Sequence, residues 1–310
     1  MLRTTRIALL SFAALALMVM ASRPAPAASI PTYLALGDSM AFGETNYTQN
    51  PSNGDRGYVG LYANQLATLN GGVRPAVINL GVDAETSTTF FQGGVQGDGT
   101  LSGFPAPQLN TNYSNPAPTQ NALLQAVLLT QNATGHAIDT VSVQLGANDL
   151  FVMAQSPGFL ALTPAQQQAQ VVATLGTFQA NYVNLLTELK TALPNATLLM
   201  LGYHNPFGGT PGHPLSALAG PAIQALNGLI AQDAAAFGGH YVDTYTPFLG
   251  HELDLTLIAS GSVHPNDAGY AVIAAQMEAQ TVPEPSTLAV LGAGLVGLLA
   301  HGRRRKAAIS

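Results

Sequence analysis

Five short apolar runs, at residues 33–36, 76–81, 138–145, 196–203 and 241–243, punctuate a chain whose intervening segments carry helical spacing. Short runs of this kind read as strands, and the first, Tyr33-Leu34-Ala35-Leu36, reads as a buried one that delivers its end to the carboxyl edge of a sheet. Between them, residues 58–69, 122–131, 164–192 and 215–237 place apolar side chains on one helical face, and Asn266 caps a last helix to about residue 279. The longest of these is the best marked. Thr163 suits the N-cap, Pro164 suits the first helical position, and Val171, Leu175, Phe178, Tyr182, Leu185 and Leu189 share one face. Strand–helix alternation repeated at least four times predicts an α/β fold. The expected form is a three-layer α/β/α sandwich with a mostly parallel central sheet, in one domain. Two stretches stand outside the pattern. Residues 92–118 are rich in Gly, Pro, Asn, Gln and Ser and read as an Ω-like loop near a site or a mobile insertion, and residues 244–262 read as irregular.

Both ends look like processing signals. Arg3 and Arg6 precede an apolar stretch at residues 7–21 and a small-residue region, Ala25-Pro26-Ala27-Ala28. That is the layout of a secretory signal peptide over residues 1–28, with an N-terminal membrane anchor as the alternative. At the other end, Pro283-Glu284-Pro285 leads into an apolar run at residues 287–300 and then Arg303-Arg304-Arg305-Lys306. The run is short of the ~20 residues a full span needs, and the basic cluster would hold it at the cytoplasmic side. The order of these features resembles a PEP-CTERM sorting signal, found in Gram-negative bacteria that secrete exopolysaccharide. The resemblance implies that residues 282–310 are removed by an exosortase-type processing enzyme; a simple C-terminal anchor is the alternative.

Residues 29–281 remain as the folded domain. Only Arg56, Arg74 and Lys190 lie there against fifteen acidic side chains, a formal charge of −12. So few cations have little with which to neutralise phosphates, which argues against nucleic-acid binding and leaves membrane contact to the terminal signals. The chain has no cysteine, so neither a disulfide framework nor a thiolate metal site is open to it.

The strand ends carry the chemistry. The first run ends in Gly37-Asp38-Ser39, the second leads into Val82-Asp83-Ala84-Glu85, the third ends in Gly146-Ala147-Asn148-Asp149, and Val263-His264-Pro265-Asn266 precedes the last helix. A serine hydroxyl becomes a nucleophile when a base takes its proton, and imidazole suits that task near neutral pH. Attack on an ester creates an oxyanion, which needs fixed donors where the charge develops. The ordered set resembles the blocks of the GDSL/SGNH hydrolase family and covers most of residues 32–280. The resemblance implies Ser39 as nucleophile and His264 as base. It implies an oxyanion hole made of the Ser39 and Ala84 backbones and the Asn148 side chain, with no metal and no cofactor.

Two departures follow. The family usually has glycine where this chain has Ala84, whose N–H can still donate if its φ is negative. The family's aspartate three residues before the histidine is here Gly261. Either a backbone carbonyl near Gly261 orients His264, leaving a Ser–His dyad, or another acid does so, with Asp243 and Asp254 the nearest upstream candidates. Asp267 reads instead as a first-turn carboxylate of the last helix. His204, His213, His240 and His251 show no metal-type spacing and read as loop or surface residues.

These readings predict an exported serine esterase that cleaves carboxylic esters through an acyl-enzyme. Short acyl or acetyl groups on a polysaccharide are the expected substrate. The expected location is the periplasm, cell surface or extracellular matrix of a Gram-negative bacterium. A lipase or lysophospholipase, with Phe90, Phe91 and Phe104 shaping an acyl pocket, is the alternative within enzymes. A catalytically weak surface or matrix binding protein on the same fold is the alternative outside them.

Overall fold

The computed structural model describes residues 30–44, 56–93, 119–134 and 137–281. Both terminal signals, Phe104 and nearly all of the 92–118 stretch therefore lie outside the described residues. Among the described residues no helix is long and apolar enough to cross a membrane.

Five strands form one parallel sheet. They are β1 (Thr32–Gly37), β2 (Ala76–Asn79), β3 (Ile138–Gln144), β4 (Thr197–Leu201) and β5 (His240–Val242), in the spatial order β2-β1-β3-β4-β5. Every residue of β1 is buried, as its unbroken apolar run requires of a strand covered on both faces. Leu34 pairs with Ile78 on one side and Val141 on the other. The chain runs outward from β1 to β2 and then back past β1 to β3. The strand order thus reverses between β1 and β3, and open parallel sheets bind their ligands at the carboxyl end of such a reversal.

The helices are α1 (Ser39–Phe42), α2 (Gly57–Leu69), α3 (Ser87–Gln92), α4 (Gln120–Thr134), α5 (Ala147–Ala154), α6 (Pro164–Ala192), α7 (Ser216–Ala236), α8 (Glu252–Leu255) and α9 (Asp267–Thr281). α2 packs on α9, with the Tyr58 and Tyr270 rings 6.3 Å apart, while α3, α4, α5 and α7 all gather around or beside α6. By the right-handed rule for parallel crossovers, a chain that winds outward from β1 to β2 and then back to β3 carries its helices onto opposite faces of the sheet, the three-layer form expected from the sequence. In α6 the apolar face anticipated from the sequence is buried throughout, each large side chain contributing roughly 1.5–3 kcal/mol. Its start is a capping box between Thr163 and Gln166 with Pro164 in the first turn.

The strand ends are held by buried amide side chains. Gln120 accepts from the Gly37 N–H and donates to the Gly37 carbonyl, both at 2.8 Å. Asn227 does the same for Tyr203, again at 2.8 Å each. Gly37 has φ +138, and a Cβ there would meet the Gln144 carbonyl oxygen at 1.9 Å, so only glycine lets β1 and β3 close at the edge where the site lies.

Three segments differ from the sequence reading. Residues 82–91, left without an element, contain most of α3, which starts at a capping box of Thr86 and Thr89. Residues following the third strand form α5, and the stretch 244–262 holds α8 flanked by turns of 3₁₀ helix at Thr246–Phe248 and Ile258–Ser260. These pieces are too short for apolar periodicity to register, and only α3 carries a side-chain cap at its start.

Candidate active site

Ser39 is the first residue of α1, directly beyond β1. Asp38 is the N-cap, its Oδ1 accepting the Met40 N–H at 2.9 Å and its Oδ2 accepting the Tyr203 hydroxyl at 2.6 Å. Burial pushes the Asp38 carboxyl up to about 7, against the lowering effect of these hydrogen bonds. As the first residue of the helix, Ser39 carries a backbone N–H with no partner inside it.

His264 arrives from the loop before α9. Its Nε2 is 2.9 Å from Ser39 Oγ, across 225 residues of sequence, and its Nδ1 is 2.9 Å from Ser262 Oγ. This network assigns the proton to Nδ1, donated to Ser262, and leaves Nε2 as the acceptor for the Ser39 hydroxyl. Burial lowers the His264 pKa below 6.5, and the charge of Glu44 works in the opposite direction. His204 bonds the neighbouring Val263 carbonyl through Nε2 at 3.0 Å and stacks on Phe248, which holds the loop. Burial takes His204 down to about 4, so it stays neutral where the site would work. His204 lies in a loop, one of the two readings from the sequence, but the surface alternative is corrected, because the residue is only 4 % exposed.

The second and third segments are tied together. Asn148 Nδ2 donates to the Glu85 carbonyl at 3.0 Å, leaving its other amide hydrogen available, and Asp149 accepts from the Ser87 N–H at 2.9 Å and hydroxyl at 2.6 Å. Glu85 in turn takes bonds from Gln120 and from the Thr89 hydroxyl. Ala84, between them, has φ +58 and is the one non-glycine residue with positive φ among the described residues. The negative φ on which its donor role was conditioned is therefore not the one it adopts. It stands in the left-handed region where glycine is at ease, at a cost of about 1–2 kcal/mol.

Ser39, Ala84, Asn148 and His264 line one cavity of about 340 Å³, with Asp83 and His204. A small apolar side pocket of about 40 Å³ adjoins it between α5 and α7. Ala147, Phe151, Pro206, Phe207 and Ile223 border both. Phe90, read as a candidate wall of an acyl pocket, lies instead in the core with Phe91 packed edge-on against it.

Neither acid candidate for His264 reaches it. Asp243 accepts from the Tyr245 and Thr246 N–H groups at 2.8 and 3.1 Å, so it caps the following turn. Asp254 is exposed in α8 beside His251. No backbone carbonyl near Gly261 takes Nδ1 either; the Ser262 hydroxyl does. Sequence reasoning missed Ser262, Glu44 and Asp83. Glu44 Oε2 lies 3.7 Å from His264 Nε2. Burial, then the charge and hydrogen bond of Glu44, push Asp83 up to about 8. Donor atoms of Glu44, Asp83 and His264 lie within 4.8 Å of one another, a spacing that could hold a cation. The nitrogen of that group, however, is the one bonded to Ser39, so the three side chains are better matched to proton chemistry than to a resident metal.

The profile of the GDSL-like lipase/acylhydrolase family matches residues 35–272, and that of the PEP-CTERM protein-sorting motif matches residues 281–305. No curated protein sequence matches the chain. Among solved structures, a lipase from a goat rumen metagenome is similar at TM-score 0.57 and 19% identity, covering 81% of this chain and 97% of that one. An acetylxylan esterase from Geobacillus stearothermophilus is similar at TM-score 0.53 and 16% identity, covering 83% of this chain and 96% of that one. At these identities the likeness is one of fold.

Proposed function

The chain belongs to the GDSL-like lipase/acylhydrolase family of carboxylic ester hydrolases, and we propose that it is an exported serine esterase removing acetyl or other short acyl groups from carbohydrate. The contact that carries the reading is the 2.9 Å hydrogen bond between Ser39 Oγ and His264 Nε2 inside the cavity. In the proposed reaction Ser39 Oγ attacks the acyl carbon while its proton passes to Nε2. The oxyanion is met by the Ser39 N–H and the Asn148 amide, while Ala84, held at φ +58, lacks the negative φ on which a third donor was conditioned. Nε2 then protonates the departing alcohol, and water, deprotonated by the same nitrogen, cleaves the acyl-enzyme and restores Ser39.

The size of the side pocket supports a short acyl group. A volume of about 40 Å³ accepts roughly three water-sized groups, which suits acetyl to butyryl rather than a fatty chain. The wider cavity, with Asp83, Gln155 and His213 in its wall, suits a hydroxyl-rich leaving group. The sorting motif supports export through a Gram-negative envelope, and the similar acetylxylan esterase makes carbohydrate esters a natural first substrate to try. On this proposal residues 1–28 are removed at export and residues 282–310 by an exosortase-type enzyme, leaving the protein in the periplasm, at the surface or in the matrix.

The test compares the purified protein with Ser39→Ala on p-nitrophenyl acetate, butyrate and decanoate. Hydrolysis of acetate and butyrate that disappears in Ser39→Ala is expected. Equal rates for the two proteins would make this a binding protein on a hydrolase fold, and a preference for decanoate would move the substrate to lipids.

A further inference from the structure

A triad carboxylate does two things for its histidine: it fixes the tautomer through Nδ1, and its charge stabilises the imidazolium formed during reaction. At His264 the Nδ1 partner is Ser262, a neutral hydroxyl 2.9 Å away. It can fix the ring and supplies no charge. A carboxylate lies on the other edge of the imidazole, where Glu44 Oε2 stands 3.7 Å from Nε2, with the Asp83 carboxyl behind it in the same cluster.

Glu44 is held there by the nucleophile's own turn. Gly43, at φ +84, closes α1 and reverses the chain, so that the Glu44 N–H donates to the Ser39 carbonyl at 3.0 Å. The Tyr270 hydroxyl of α9 donates to the Glu44 carbonyl at 2.8 Å. With both backbone groups of Glu44 engaged and the residue 6 % exposed, its side chain has little room to leave the imidazole. A hydrogen bond from Ser39 and a charge from Glu44 thus meet the same nitrogen, which is the atom that gains and loses the proton.

We propose that Glu44 is a positioning residue that supplies the negative charge missing at Gly261, so that the two tasks of a triad aspartate are divided between Ser262 and Glu44. The inference rests on the esterase reading above. Several groups among the described residues face this pair. Asp83, from the loop after β2, stands against Glu44, and burial followed by the charge of Glu44 raises its pKa. Arg56, whose guanidinium lies over the Phe42 ring at 4.1 Å, acts on Glu44 with opposite charge. His204 acts weakly on His264 with like charge when protonated. Ser39 and Ser262 hydrogen-bond the two nitrogens of the ring.

The direction of the effect follows. A negative charge beside the imidazole favours its protonated form, so Glu44 raises the pH of the acid limb of kcat/KM, which reports the free base. Glu44→Gln is expected to lower that midpoint by about one pH unit. It is expected to lower kcat about 10- to 100-fold with KM within about threefold, because the lost interaction matters in the transition state. Glu44→Asp should recover part of both. Arg56→Met, which removes the opposing charge and touches neither Ser39 nor His264, should move the midpoint upward. All rates are taken per active site, counted by titrating Ser39 with a p-nitrophenyl phosphonate.

A Glu44→Gln protein with the parent's kcat and acid limb overturns the proposal. So does one with reduced kcat and an unmoved limb, since a purely structural role predicts that result. If Glu44→Gln does not fold, an acid limb in Arg56→Met that stays fixed or moves down overturns it instead. Parent activity that survives Ser39→Ala would refute the esterase reading itself, which keeps the two failures apart.

Discussion

Ser262 Oγ stands 2.9 Å from His264 Nδ1, on the nitrogen that a triad carboxylate would occupy. Two residues of one loop therefore form a self-contained unit, with the His264 N–H also directed at the same oxygen at 3.4 Å. Ser262→Ala removes the acceptor that selects the catalytic tautomer. The expected loss in kcat is about 10- to 100-fold, smaller than the ~10⁴ for a triad aspartate because a neutral acceptor contributes no charge. Gly261→Asp alone should gain less than about threefold, since Nδ1 is already engaged, but should restore activity to Ser262→Ala. The site accepts the change sterically: a Cβ at Gly261 meets nothing within 4 Å, and aspartate tolerates the φ of +88 better than most residues. Steady-state kinetics of the three variants check both statements.

Ala84 predicts an inverted stability effect. Ala→Gly in regular structure costs about 0.5–1 kcal/mol. At φ +58 the same change relieves left-handed strain, so Ala84→Gly should leave stability unchanged or raise it by up to about 1 kcal/mol. A midpoint rise of roughly 2–4 °C corresponds to the upper figure in a domain this size. A clear fall in thermal midpoint would contradict it.

Stability should decline above neutral pH. Asp38, Asp83 and Asp149 have native values raised from 3.8 to about 7, about 8 and about 6, in each case first by burial. Raised groups hold protons in the native state that the unfolded chain has already released. Their contribution is complete below the unfolded pKa and is lost as pH rises through the native one. His204 and His264 are lowered and work in the opposite sense, but only below about 6.5, where the unfolded imidazole takes its proton. From pH 6.5 to 8 the loss from Asp38 and Asp83 is unopposed. Thermal unfolding across pH 5 to 9 should show a falling midpoint over that interval, whereas a flat or rising one would contradict the buried, protonated carboxyls.

The side pocket sets acyl length. Ala219 lines it on α7 without bordering the main cavity. Ala219→Leu should lower the butyrate-to-acetate ratio of kcat/KM about tenfold or more, the scale of discrimination a hydrophobic pocket attaches to a methylene. An unchanged ratio would place the acyl chain elsewhere.

Local rules were enough for much of this protein. Short runs rich in apolar residues identified the five strands of the described sheet, most plainly β1, which is buried along its whole length. The 29 residues of α6 announced themselves through Thr163, Pro164 and a continuous apolar stripe. Ser39, Asn148 and His264 stood out because each sits at a strand end or a helix entry in a fixed order, and the tail was legible from Pro-Glu-Pro and its arginines. The partners of those residues were not legible. Asp243 and Asp254 were nearest in sequence and turned to backbone N–H groups and solvent, while Ser262, Glu44 and Tyr203 surround the site with oxygens that no spacing rule points to. Periodicity and caps record the path of the backbone over one or two turns. Which oxygen meets a given ring nitrogen, and whether a carboxyl keeps its proton, depends on burial and on contacts between segments far apart in the chain. Those are settled only when β1, β3 and the loop before α9 come together at one edge of the sheet.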